Sequence, residues 1–119
     1  MEKFKTYIAS VDGKNGWDVI EPLYNEAFDP DAVIRTADGE FDRAAWATMA
    51  QGLVAKRARI SELEITATGD DTVAYRMRID IPGADSMELA ATATLRDGRF
   101  LRVEPTDPKA YSNLVERSR

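Results

Sequence analysis

An α+β domain is what this sequence predicts, with helices first and a curved antiparallel sheet after them. Three observations carry that expectation. Apolar residues recur at three- and four-residue spacing up to about residue 56, and after Ile60 the period drops to two. The alternating runs are separated by Gly69-Asp70-Asp71, Pro82-Gly83 and Asp97-Gly98, each a turn signal. Helices in one block and strands in the next are the mark of an α+β arrangement.

Taken in order, Phe4, Tyr7, Ile8 and Val11 form the apolar stripe of a first short helix, and Asp12-Gly13 turns the chain. A second helix begins near Asn15, with Trp17, Ile20, Leu23, Tyr24, Ala27 and Phe28 on one face. Pro22 falls inside it, where its ring clashes with the preceding turn, so a kink or two short helices are expected there. Asp29-Pro30-Asp31 stops the helix, Ala32 to Ala37 is a short extended segment, and Asp38-Gly39 turns back.

The third helix has the clearest start. Asp42 caps it, and Phe41 before the cap can pack on Trp46 as a hydrophobic staple. Trp46, Met49, Ala50, Leu53 and Val54 supply its buried face, and Lys56, Arg57 and Arg59 suit its negative end. Four strands follow. Their inward sets are Leu63, Ile65 and Ala67; Val73, Tyr75, Met77, Ile79 and Ile81; Met87, Leu89, Ala91, Ala93 and Leu95; then Leu101 and Val103. Residues 106–119 have weak periodicity and read as a C-terminal tail, of which the last few residues are expected to be mobile.

The chain of 119 residues is long enough for one domain, read as 1–119, with an ordinary core. It is 44% hydrophobic and 31% charged, the balance of a globular protein. Its net charge of −5, from 21 acidic and 16 basic residues, argues against a nucleic-acid surface. There is no Cys, which excludes disulfides, thiolate nucleophiles and Cys-ligated metal, and no His, which excludes a Ser-His-Asp triad or a His-Asp dyad. No kinase loop, dinucleotide fingerprint or metalloprotease pair is present. No cofactor and no metal are therefore expected. No apolar run spans a bilayer and the N-terminus lacks an apolar signal core, so the expectation is no membrane contact and a cytoplasmic location.

The arrangement resembles the NTF2-like superfamily, in particular its SnoaL-like and ketosteroid-isomerase-like group. The resemblance covers nearly the whole chain: the helix end LYNEAF passing into DPDAVIRTADGEF, the helix DRAAWATMAQGLV, and the meander from Ile60 to Val103. It implies a sheet wrapped around the helices as a cone with a pocket, and an outer sheet face that pairs two subunits. Ala90, Thr92 and Thr94, small and uncharged on the outward phase, fit such a homodimer face.

In the isomerase branch a carboxylate base ends the first short strand, and a Tyr from the first helix and a neutral Asp from the sheet stabilise an enolate. Here the base position falls on Thr36, with Asp38 reaching inward only if the turn is shifted, and the oxyanion Asp has no counterpart. Tyr7 stands on the matching helix, as a pocket hydroxyl or as core.

Asp38 and Glu104 are the candidate catalytic carboxylates, set against ordinary turn and ion-pair roles. Trp17, Tyr24, Arg35, Trp46, Tyr75 and Met77 are the candidate pocket residues. Arg35 enters a pocket only if its strand face points inward; Glu104 or a bound carboxylate would then be its partner. Three functions remain open: binding of a small, largely apolar or carboxylate-bearing molecule in a homodimer; an isomerase or cyclase-like enzyme working by carboxylate and Tyr chemistry on a small carbonyl compound; and an adaptor that recognises another protein.

Overall fold

The apolar stripes read from the sequence set the helices in place. The computed structural model describes residues 1–119. In it Phe4, Tyr7 and Ile8 bury the inner face of α1 (Glu2–Ser10), and Ile20, Tyr24 and Ala27 that of α2 (Trp17–Ala27). Pro22 neither splits nor ends α2. The carbonyl it leaves without a partner belongs to Asp18, which is exposed, so water can satisfy it. In α3 (Arg43–Ala55) the cap forms as expected, Asp42 accepting from the Ala45 amide at 2.8 Å. The Phe41 and Trp46 rings meet edge to face at 5.8 Å.

Six strands form one sheet in the order β2-β1-β6-β5-β4-β3: β1 (Phe28–Thr36), β2 (Gly39–Asp42), β3 (Arg59–Ala67), β4 (Thr72–Asp80), β5 (Met87–Arg96) and β6 (Arg99–Pro105). The sheet is mixed, not wholly antiparallel: β3 to β6 form the expected meander, but β1 lies parallel to β6. The helices pack in its concavity around one core that includes Phe4, Tyr24, Ile34, Phe100 and Tyr111.

Three departures from simple alternation shape this sheet; one, in β3, falls between Ser61 and Glu64, and the other two bear on the site. Asp29, Pro30 and Asp31 do not merely stop a helix; they sit where the β1–β6 register jumps, since Phe28 faces Phe100 while Val33 faces Arg102. A proline, which has no N–H to give a ladder, is tolerated at such an irregularity. Asp29 is buried there, takes the Asp31 amide at 2.9 Å, and receives two bonds from Arg96 at 2.6 and 3.0 Å. The second of these two is in β6. Thr94 faces Arg102 and Leu95 faces Phe100, which leaves Leu101 as the extra residue of a bulge. The inward residues are therefore Phe100 and Val103, not Leu101 and Val103.

Residues 106–119 also depart from expectation. They hold α4 (Pro108–Ser118), capped by the Asp107 carboxylate on the Lys109 amide at 3.1 Å and burying Tyr111, Leu114, Val115 and Ser118. No helix is long and apolar enough to cross a membrane.

The Arg96 clamp has an acid signature. The Arg96 bonds, then the Asp31 amide, hold the Asp29 carboxyl below the usual aspartate range. A depressed folded pKa contributes stability above the unfolded value and loses it as pH falls through the folded one. Urea midpoints of the native chain should therefore fall as the pH drops through and below the ordinary aspartate range. Asp29→Asn should be less stable at neutral pH and show a shallower acid dependence. An equally steep decline in the variant would assign the acid sensitivity to other carboxylates.

Candidate functional site

Inside the cone lies a cavity of about 30 Å³, enough space for roughly one water molecule. Its wall is built from α1, α3, α4 and the inner faces of β1, β3, β4 and β6, and all 18 lining residues are apolar or aromatic. Helical spacing brings Phe4, Tyr7 and Ile8 to it from α1, Val11 joins them from the residue after the helix, and strand alternation brings Tyr75, Met77 and Ile79 from β4.

The polar atoms in this wall are few. The hydroxyls of Tyr75 and Tyr111 share a hydrogen bond deep in the core. The Tyr111 ring stacks on Trp46 at 5.6 Å between centroids, with 17° between planes. Burial raises the pKa of Tyr7, Tyr75 and Tyr111 above the ordinary phenol value, so all three remain neutral donors near neutral pH. Every fully buried side-chain polar atom has a partner. The Tyr7 hydroxyl makes no hydrogen bond within the protein, so it keeps accessible surface even though its residue is only 6% exposed.

The sequence-derived candidates separate into three places. Trp46, Tyr75 and Met77 line the cavity. Trp17 and Tyr24 do not; they border a surface groove between α2 and α3, where Trp17 Nε1 donates to Glu21 at 3.0 Å and the Tyr24 hydroxyl donates to the Arg43 carbonyl at 2.7 Å. Arg35 lies on the outer sheet face, because Ile34 takes the inward position and the next residue must point away.

Glu104 lies outside for the same reason, next to inward Val103, and pairs with Arg102 at 2.7 Å and Arg35 at 3.5 Å. Asp38 is exposed in the turn between β1 and β2. The position that the isomerase pattern gives to the base holds buried Thr36, whose hydroxyl donates to the Gly39 carbonyl at 2.9 Å and accepts from the Asp38 amide at 3.2 Å. The hairpin thus keeps its own polar groups, and no carboxylate reaches the cavity wall.

Tyr111 and Leu114 were not among the candidates, although both line the cavity. The signal that could have found them is Asp107-Pro108, a cap and a first-turn proline, followed by Tyr111, Leu114, Val115 and Ser118 at helical spacing.

A curved sheet wrapped on helices around a single apolar cavity defines a cone-shaped α+β class with a central pocket. No protein-family model matches the chain, and no curated protein matches it in sequence. Solved structures resemble it over most of its length. A proposed polyketide cyclase from Sinorhizobium meliloti is 24% identical, with 89% of this chain and 94% of that one aligned at a TM-score of 0.63. A proposed SnoaL-like polyketide cyclase from Jannaschia is 15% identical, with coverage of 87% and 81% and a TM-score of 0.64. An NTF2-like protein from Cytophaga hutchinsonii is 8% identical, with coverage of 87% and 85% and a TM-score of 0.65. The chain has an NTF2-like fold.

Proposed function

We propose that the chain is a small-molecule-binding domain, and that its cone takes a largely apolar molecule with the Tyr7 hydroxyl as polar contact. The observation that carries this reading is the unpartnered Tyr7 hydroxyl in a wall of otherwise apolar and aromatic side chains. A mainly apolar pocket with very few polar groups is the usual form of a small-ligand site. The acid–base alternative has less support, since Asp38 and Glu104 stand away from the cavity. The adaptor alternative has little to dock with, because Val19 is the one large apolar side chain left exposed.

The test is calorimetric titration with naphthol, naphthalene and the aliphatic ketone decanone. At least one should bind, and Tyr7→Phe should weaken whichever of the two oxygen-bearing probes, naphthol or decanone, binds by roughly three- to tenfold, the worth of one hydrogen bond. If none of the three binds, the reading fails.

The homodimer belongs to the same proposal. Thr92 and Thr94 are exposed on the outer sheet face, Ala74 and Ala90 are half-buried beside them, and Arg35, Arg102, Glu40 and Glu104 stand nearby. A two-fold pairing of this face can bury the small residues and set Arg against Glu, as a self-complementary interface requires. Light scattering should give twice the chain mass at micromolar concentration, and Thr92→Glu should halve it. A monomeric wild type would rule the dimer out.

A further inference from the structure

We propose that α4 is a displaceable plug, and that the molecule which replaces it in the cone is planar, aromatic and carries a hydroxyl or carbonyl oxygen. This deepens the binding reading above and rests on it. A cavity of about 30 Å³ holds nothing much larger than water, so any larger ligand needs part of the wall to move. The sheet is held by its hydrogen-bond ladder, and α3 buries Trp46, Met49, Ala50, Leu53 and Val54 along its length. Into the cavity wall α4 contributes only Tyr111 and Leu114.

Outside the cavity wall α4 also buries Val115, and Ser118 against Gly52 of α3, and its other ties are polar contacts at the rim. The Ala37 amide donates to the Pro108 carbonyl at 3.2 Å and to the Ser112 hydroxyl at 3.0 Å. Lys56 Nζ donates to the Arg117 carbonyl at 2.8 Å and also to the Arg119 carbonyl. Arg117 donates to the Asp85 carbonyl at 2.7 Å. Bonds of this kind, open to water, are each worth little net. Among the helices of the wall, α4 places the fewest side chains in the cavity, and it is therefore the one assigned to move.

The chemistry of the occupant follows from what α4 inserts. Tyr111 is a phenol laid flat on Trp46 with its oxygen on the Tyr75 hydroxyl. When it leaves, an indole face is exposed and the Tyr75 hydroxyl is left without a partner in an apolar site. An aliphatic chain restores neither contact. A flat aromatic ring restores the stack, and an oxygen on it restores the hydrogen bond, so the penalty of an unpaired buried donor is avoided.

The test uses the full chain with naphthol, naphthalene and decanone as probes, by calorimetry and amide hydrogen exchange. Naphthol should bind at least tenfold tighter than either other probe, and protection of residues 108–118 should fall at saturation. Lys56→Ala touches no cavity residue and loosens the closed state, so it should tighten naphthol binding about three- to tenfold. A thermal melt confirms that this variant is folded; if it is not, Arg117→Ala, which releases the Asp85 tie, takes its place. Naphthol binding with α4 protection unchanged, an affinity unmoved or weakened by the tie-breaking variant, or decanone binding as tightly as naphthol would each overturn the plug or its ligand class while leaving the binding reading intact. Failure of all three probes would overturn both.

Discussion

Phe100→Ala is expected to remove about 3–5 kcal/mol of stability, and Leu101→Ala no more than about 1.5 kcal/mol. Phe100 is fully buried, stacks on Phe4 at 4.1 Å with 13° between planes, and meets the edge of Phe28 at 5.8 Å. Truncation there empties a ring-sized space between α1 and the sheet, and neighbours fixed by β1 and β4 cannot collapse into it. Leu101, by contrast, is half-buried as the extra residue of the bulge. Urea denaturation of the two variants checks the ranking, with unchanged m-values as the sign that only native stability has moved. If Leu101→Ala proves the more damaging, strict alternation holds through β6 and the bulge is misplaced.

Gly52→Ala sets two effects against each other. In the interior of α3 the change should stabilise by about 0.8–1.0 kcal/mol on helix propensity alone. The new Cβ, however, would run into the Ser118 carbonyl oxygen at the end of α4. The obstacle is backbone, which no rotamer change relieves. Overpacking of this kind costs typically 1–3 kcal/mol, so against the gain of about 0.8–1.0 kcal/mol the variant should lose up to about 2 kcal/mol net, less if the last turn of α4 yields. Thermal melts give the sign, and hydrogen exchange over residues 115–119 shows whether the turn has detached. A stabilised variant with α4 still protected would mean that the close approach at Gly52 is absent in solution.

Where one physical term dominates locally, the sequence reads directly. The stripe Phe4, Tyr7, Ile8, Val11 and the staple of Phe41 on Trp46 are local patterns, and β4 alternates without interruption from Val73 to Ile79; all are buried or paired as the periods require. The parallel β1–β6 pair is not local, since nothing in Phe28–Thr36 specifies a partner about 70 residues later. Alternation alone puts Leu101 inward, because a bulge has no compositional mark of its own here. The helix of residues 108–118 reads as a tail in sequence because its polar residues dilute the stripe of Tyr111, Leu114 and Val115.

At the site, Trp46, Tyr75 and Met77 were found by their place on apolar faces. Arg35 and Glu104 were weighed as pocket groups because a strand's phase, inward or outward, is set by the sheet it joins. Their ion pair at 3.5 Å on the outer face was nonetheless one of the pairings weighed for Arg35.

The parallel pairing of β1 with β6 also constrains the order of assembly. The first strand of the sheet closes its second edge only against the last, so during synthesis β1 and β2 form at most an isolated hairpin while some sixty further residues emerge (Phe41 to Phe100). A two-stranded hairpin is marginal in water, and joining it to β6 requires closing that long loop first. The meander β3 to β6, built from neighbours in sequence, can mature alone and then capture the waiting hairpin. Refolding should therefore be paced by a late docking step, and until it occurs the open edges of β1 and β6 are where two nascent chains would most readily pair with each other.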